Sequence, residues 1–112
     1  MNDGDRSYLF KSDLFEIEAG EEDEVNPRMY GRQLTNWLRD QLIRRGRKIE
    51  FVSTEDWGRC IMCANDGFSL WVGAGSRTDY ESAKTDDPPP LATEVVWNCF
   101  VAAEIPFWMR FF

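Results

Sequence analysis

Residues 30–72 read YGRQLTNWLRDQLIRRGRKIEFVSTEDWGRCIMCANDGFSLWV, and this stretch decides the fold. Leu34, Trp37, Leu38 and Leu42 recur at spacings of three and four, which places them on one face of a helix. Arg28, Arg32, Arg39 and Arg45 fall mainly on the other faces. Just upstream, Asn26 suits a helix cap and Pro27 the first helical position. Downstream, Arg44 and Arg45 suit the negative end of the helix dipole, and Gly46 suits a left-handed terminator. The spacing predicts a helix over 27–45 that buries Leu34, Trp37, Leu38 and Leu42 on a sheet. The period then changes from helical to two. Residues 48–53 set Ile49 and Phe51 against Glu50 and Val52. Residues 59–64 form a further strand, and residues 68–72 another, with Phe68, Leu70 and Val72 opposing Ser69 and Trp71. Residues 54–58 make the first turn between these strands and Asn65-Asp66-Gly67 the second, with the strong Asp-Gly hairpin signal. Gly73-Ala74-Gly75 closes the run.

The same reading extends outward. In residues 8–18, Phe15 and Ile17 alternate with Glu16 and Glu18, which predicts a half-buried strand. Residues 1–7 are polar and loose, and 19–25 form an acidic loop opened by Gly20. Residues 75–92 are polar, contain Asp86-Asp87-Pro88-Pro89-Pro90, and predict a long surface loop. Residues 93–104 predict a fifth strand, with Val95, Trp97, Cys99 and Val101 opposing Val96, Phe100 and Ala102. The order is β-α-β-β-β-β. This is an α+β chain, one helix packed on a four- to five-stranded, mainly antiparallel sheet. At 112 residues it is one domain's worth of material, 1–112.

Composition narrows the function classes. With 43% apolar residues and 14% aromatic ones the chain can bury a core, which argues against disorder. It holds no apolar run long enough to span a bilayer. The polar start, Met1 to Arg6, is unlike a secretory signal, so the expected location is cytoplasmic. The chain has no histidine, which removes Ser-His-Asp and Cys-His catalysis and most zinc sites. No phosphate-binding glycine loop is present. Cys60 and Cys63 form a CxxC, but a redox pair needs a helix N-terminus to depress its thiol pKa. In a strand, residues three apart point to opposite faces, so the sulfurs diverge. Cys60, Cys63 and Cys99 read as small buried side chains. No cofactor and no metal site is expected.

The net charge of −7 is segregated. Nine acids crowd residues 1–25, seven bases lie in 26–48, and ten acids lie beyond. An acidic chain repels nucleic acid at long range. The basic helix face reads as solvated and compensated by the flanking acids. Its alternative, phosphate binding through Arg28, Arg32 and Arg39, lacks a loop to shape a pocket. Glu21-Glu22-Asp23-Glu24 precedes a helix, where negative charge is favoured by the dipole. Four acids exceed that need, so the surplus is a candidate contact for a basic partner.

Two aromatic features complete the inventory. Glu55-Asp56-Trp57-Gly58 holds adjacent carboxylates, but a turn at a strand end is normally wet and does not separate their pKa values for catalysis. Trp57 either plugs one end of the core or joins Trp71 in an aromatic surface rimmed by Glu50 and Asp66. The ending, residues 105–112, carries Phe107, Trp108, Phe111 and Phe112. It either folds back over the core or the open sheet face, or docks on a second copy or a target.

The segments Leu14-Phe15-Glu16-Ile17-Glu18, Gly20-Glu21-Glu22-Asp23-Glu24, Asn26-Pro27, Tyr30-Gly31, Gln33-Leu34, Trp37-Leu38, Glu55-Asp56-Trp57-Gly58 and Leu70-Trp71-Val72-Gly73 together resemble a family of short, uncharacterised bacterial proteins. The resemblance covers roughly residues 13–104. It implies a common fold and a bacterial cytosol, and no activity. Arg59 stands where that family tends to have Trp, and Ala74 where it tends to have Cys. The family also runs on into a further helix, so this chain reads as shortened at its C-terminus.

The functional expectation is a non-enzymatic protein-binding protein. It would be a small acidic inhibitor that covers a basic surface on a bacterial target, of the immunity-protein or anti-CRISPR kind. The partner-facing residues would be Glu21, Glu22, Asp23, Glu24, Glu55, Asp56, Trp57, Trp71, Trp108, Phe111 and Phe112. The partner is a protein with a basic surface, and neither nucleic acid nor membrane is expected to bind. The alternative is a housekeeping module that self-associates as a homodimer through its tail.

Overall fold

In the computed structural model, residues 6–25, 28–63, 69–77 and 90–104 are described. The elements are β1 (Arg6–Phe10), a 3₁₀ turn at Glu21–Glu24, α1 (Arg32–Arg44), β2 (Ile49–Glu55), β3 (Gly58–Cys63), β4 (Ser69–Ser76), a 3₁₀ turn at Ala92–Glu94, and β5 (Trp97–Glu104). The strands form one five-stranded sheet in the order β1-β5-β4-β3-β2. Every neighbouring pair is antiparallel. The fold is α+β, as the periodicity predicts.

Helix α1 crosses β4, β3 and β2 on one face of the sheet. Phe15, Tyr30, Leu34, Ala74, Val95 and Trp97 form one buried cluster. Ile61, Cys63 and Val72 form a second, with Leu42, Ile49 and Leu70 packed against it, and Leu38 touches both. Trp97 and Ile61 are fully buried. Burial of side chains of this kind contributes about 1.5–3 kcal/mol each.

The helix is shorter than its spacing predicts. It begins at Arg32 and its N-terminal cap residue is Gly31. Arg28 has a positive φ of 62°, which a continuing right-handed helix does not allow. Asn26 and Pro27 lie outside the described residues. The C-terminal end follows expectation. Gly46 takes φ 85°, its amide donates to Ile43 O, and the Arg47 amide donates back to Leu42 O at 2.9 Å, a Schellman closure. Trp37 is not buried on the sheet. It is 45% exposed and meets Phe15 edge-on at 6.0 Å.

Four strand expectations change. β1 is 6–10, and Phe15 and Ile17 lie beyond it in irregular chain. The Ser12 hydroxyl accepts the Leu14 amide, Gln33 Oε1 the Glu16 amide and Glu21 Oε2 the Glu18 amide. These side chains take the amides a ladder would need, yet Phe15 still turns inward. In β2 a register irregularity falls between Ile49 and Phe51. A bulge of this kind sends neighbours that alternate in sequence to opposite faces. Ile49 therefore sides with Cys63 under the helix, and Phe51 with Met62 on the opposite face. β4 continues through Gly73-Ala74-Gly75 to Ser76, because these small residues admit close neighbours. Gly31 and Gly58 both pack on Gly75. β5 starts at Trp97, after the 3₁₀ turn that holds residues 92–94.

Candidate functional site

The acidic run folds around its own first member. Glu21 is 0% exposed. Its Oε1 accepts the Gly31 amide at 2.6 Å and the Arg32 amide at 2.9 Å. Its Oε2 accepts the Glu18 amide at 2.6 Å. An N-cap glycine has no side chain to satisfy the first helical amides, so a carboxylate ten residues upstream does it, at the positive end of the dipole. Arg59, also buried, donates from Nη2 to the Glu21 carbonyl at 3.1 Å, and its Nη1 lies 3.8 Å from Glu21 Oε1. Burial lowers the Arg59 pKa, while the Glu21 charge opposes that shift. Glu21 is thus a buried cap and not a contact for a partner, which corrects the expectation for this residue.

The other acids face outward in different degrees. Asp23 and Glu24 are exposed, and Glu22 is half-buried. Glu24 pairs with Arg32 and lies 3.6 Å from Arg59 Nη2. Glu22 Oε2 accepts the Arg28 amide at 3.2 Å. Glu18 accepts from Arg32 Nη1 at 3.1 Å and from Gln33 Nε2 at 3.1 Å. The Gln33 hydrogen bond first, and Arg32 second, hold the Glu18 pKa below its ordinary value. The basic helix face is compensated by its surroundings. Arg32 serves Glu18 and Glu24, Arg39 lies 3.3 Å from Asp40, and Arg45 donates to Gln41 Oε1 at 2.9 Å.

On the sheet face opposite α1, the ladder register places Met62, Trp71, Gly73, Phe100 and Ala102 together. Trp57, from the β2–β3 turn, lies against this face. Trp57 and Trp71 have ring centroids 5.9 Å apart, Trp57 and Phe100 5.1 Å, and Trp71 and Phe100 5.3 Å. Trp57 is 38% exposed, so it is not a core plug. The pairing of Trp57 with Trp71 was legible in the sequence, but the third ring was not. Phe100 lies directly across the ladder from Gly73, and a Cβ on Gly73 would come 2.4 Å from the Phe100 ring. A glycine facing an aromatic across a ladder is the signal that marks the position, and it needs the register to be seen. Glu55 and Asp56 are exposed beside Trp57, and Glu55 Oε1 accepts the Ser53 hydroxyl at 3.1 Å.

Cys60 and Cys63 sit in β3 on opposite faces, across from Gly73 and Leu70 respectively. Burial raises the pKa of both thiols and of Cys99, the reverse of what a reactive thiolate needs. Among the described residues no group of three His, Cys, Asp or Glu side chains is placed to hold a metal ion. No described helix is long and apolar enough to cross a membrane. Asp66, Trp108, Phe111 and Phe112 lie outside the described residues.

The fold defines a two-layer α+β protein with one helix on an antiparallel sheet. Comparison with protein-family models, with curated proteins and with solved structures returns no match.

Proposed function

We propose that this chain is a non-enzymatic protein-binding protein that neutralises a bacterial target by covering a basic surface, in the manner of an immunity protein or an anti-CRISPR. The observation that carries the reading is the half-exposed Trp57–Trp71–Phe100 cluster with Glu55 and Asp56 beside it. Large aromatic rings held against each other supply anchoring area at low entropic cost, and flanking acids steer a basic partner and reject an acidic one. Glu22, Asp23 and Glu24 extend the acidic surface on another part of the molecule.

A tagged capture from bacterial lysate, washed at low and then high salt, tests the reading. One stoichiometric basic partner, released by salt and lost with Trp57→Ala and Trp71→Ala together, is expected. Equal capture by wild type and this double variant overturns it. A second reading, self-association, draws on the same sheet face, where Phe51 is 50% exposed. Sedimentation of the full chain distinguishes the two, since a dimer that the same double variant dissociates favours self-association.

A further inference from the structure

Helix α1 covers one face of the sheet. On the other face, Phe51, Met62 and Trp71 stand in one row of the ladder and Cys60, Gly73 and Phe100 in the next, with Trp57 laid against them. Phe51 and Trp57 are exposed, and Met62, Trp71 and Phe100 are half-buried. A contiguous apolar patch of this kind marks a surface that something covers. The chain that leaves its edge has the reach and the chemistry to do so. β5 ends at Glu104, across the ladder from Ser69, and Phe100 lies four residues back along the same strand, roughly 13 Å at about 3.3 Å per residue. Residues 105–112 read IPFWMRFF and lie outside the described residues. Fully extended, these eight residues span at most about 26–29 Å, about twice the distance back to Phe100. Pro106 lacks the amide hydrogen that a central strand needs, which favours a change of direction there. The segment carries Phe107, Trp108, Met109, Phe111 and Phe112, and its one charge is the cation of Arg110. The rim of the open face has the opposite sign, since Glu55 and Asp56 are exposed beside Trp57.

We propose that residues 105–112 fold back over this face within one molecule, laying their rings on Trp71 and Phe100 and bringing Arg110 to Glu55 and Asp56. Through Arg59, Ala74 and Cys99 the ladder sets the β2–β3 turn about level with residues 98–99 of β5. Arg110 stands six residues beyond Glu104, so a chain doubling back along β5 carries its cation toward the two acids, and the long arginine stem makes up for the residues spent on the reversal. A second copy is the weaker occupant. A tethered segment meets the face at an effective concentration on the order of millimolar, whereas two chains of net charge −7 repel each other. The inference goes beyond the partner-binding reading and sets a condition on it. A partner that uses the aromatic face has to displace the tail, so the two compete for one surface.

The test uses the wild-type full chain labelled at its methionine methyls, because Met62 lies on the open face between Phe51 and Trp71. Nuclear Overhauser contacts from the Met62 methyl to the rings of residues 107–112 are expected. None is expected in an isotope-filtered spectrum of labelled and unlabelled chains mixed, which reads contacts between molecules. Absence of the first contacts overturns the proposal. So do tail contacts to Tyr8 and Val101 instead, on the helix side of β1 and β5, and so do contacts found between molecules alone, which put a second copy on the face. Binding of the neutral apolar dye Nile red reads the same covering independently. Trp108→Ser with Phe111→Ser binds the dye about tenfold more tightly than wild type, the factor that follows when the covered form holds about nine molecules in ten. Adding Trp57→Ala and Trp71→Ala removes the gain. Arg110→Glu raises the wild-type affinity about threefold, the scale of one exposed charge pair. Equal dye binding by wild type and the tail variants means an open face and overturns the proposal.

Discussion

Glu21 and Gly31 are joined by a 2.6 Å hydrogen bond from the Gly31 amide to the Glu21 carboxylate, across ten residues of chain. Gly31 takes φ 146°, and a Cβ there would lie 3.0 Å from Gly75 Cα. The start of α1 therefore presses so closely on β4 that its cap position excludes any side chain. The capping group has to come from elsewhere, and the 3₁₀ turn at Glu21–Glu24 brings it. The same carboxylate faces the buried guanidinium of Arg59.

Replacement of Glu21 tests this arrangement. Glu21→Ala leaves Arg59 buried beside an unpaired helix start and costs about 3–5 kcal/mol of stability, the range for breaking a buried charge pair. Glu21→Gln keeps one acceptor oxygen and costs less, about 1–3 kcal/mol. Urea unfolding followed by tryptophan fluorescence checks both. Equal stability of all three proteins would contradict the cap.

The aromatic face depends on a missing side chain. Gly73→Ala places a methyl group within 2.4 Å of the Phe100 ring, so the ring has to move and the three-ring cluster comes apart. The expected cost is about 1–3 kcal/mol, with loss of near-ultraviolet circular dichroism from Trp57 and Trp71. Gly58→Ala is worse, since its Cβ would lie 2.5 Å from the Ala74 carbonyl oxygen at φ 154°, and a ladder carbonyl cannot swing aside as a ring can.

Acid weakens the fold in part through Glu18. Its pKa is lowered from 4.5 in the folded state, so the native form holds the deprotonated carboxylate more tightly than the unfolded chain does. Its contribution is present in full above the ordinary value and is lost as pH falls through the lowered one. Stability measured between pH 5 and pH 3 falls less steeply in Glu18→Gln than in wild type. Identical slopes would remove Glu18 from the account.

The acids at 21–24 differ in structural duty, and the proposed partner contact falls to those that do not cap the helix. Reversing Glu22 and Asp23 to Lys leaves the helix cap intact, so the variant folds, while its on-rate for a basic target falls and loses its salt dependence. Reversing Glu21 as well unfolds the protein. Circular dichroism of the two variants, read beside capture at low salt, separates the roles.

Periodicity alone determined the order of elements, because helical and extended chains bury apolar residues at different spacings. Leu34, Leu38 and Leu42, and Leu70 and Val72 against Trp71, needed nothing else. The sequence also placed Cys60 and Cys63 on opposite faces, since strand side chains alternate. Tertiary structure decided whatever depended on a partner distant along the chain. It moved the helix start to Arg32, because the capping carboxylate belongs to Glu21. It took Phe15 out of a strand, because Gln33 and Glu21 accept the amides around it. It carried β4 through three small residues that a local reading takes for the end of the strand, and it brought Phe100 over Gly73 through the ladder register. Glu21 shows the division most clearly. In sequence it is one of four like charges, and only burial against a helix N-terminus and an arginine makes it different from the three that follow.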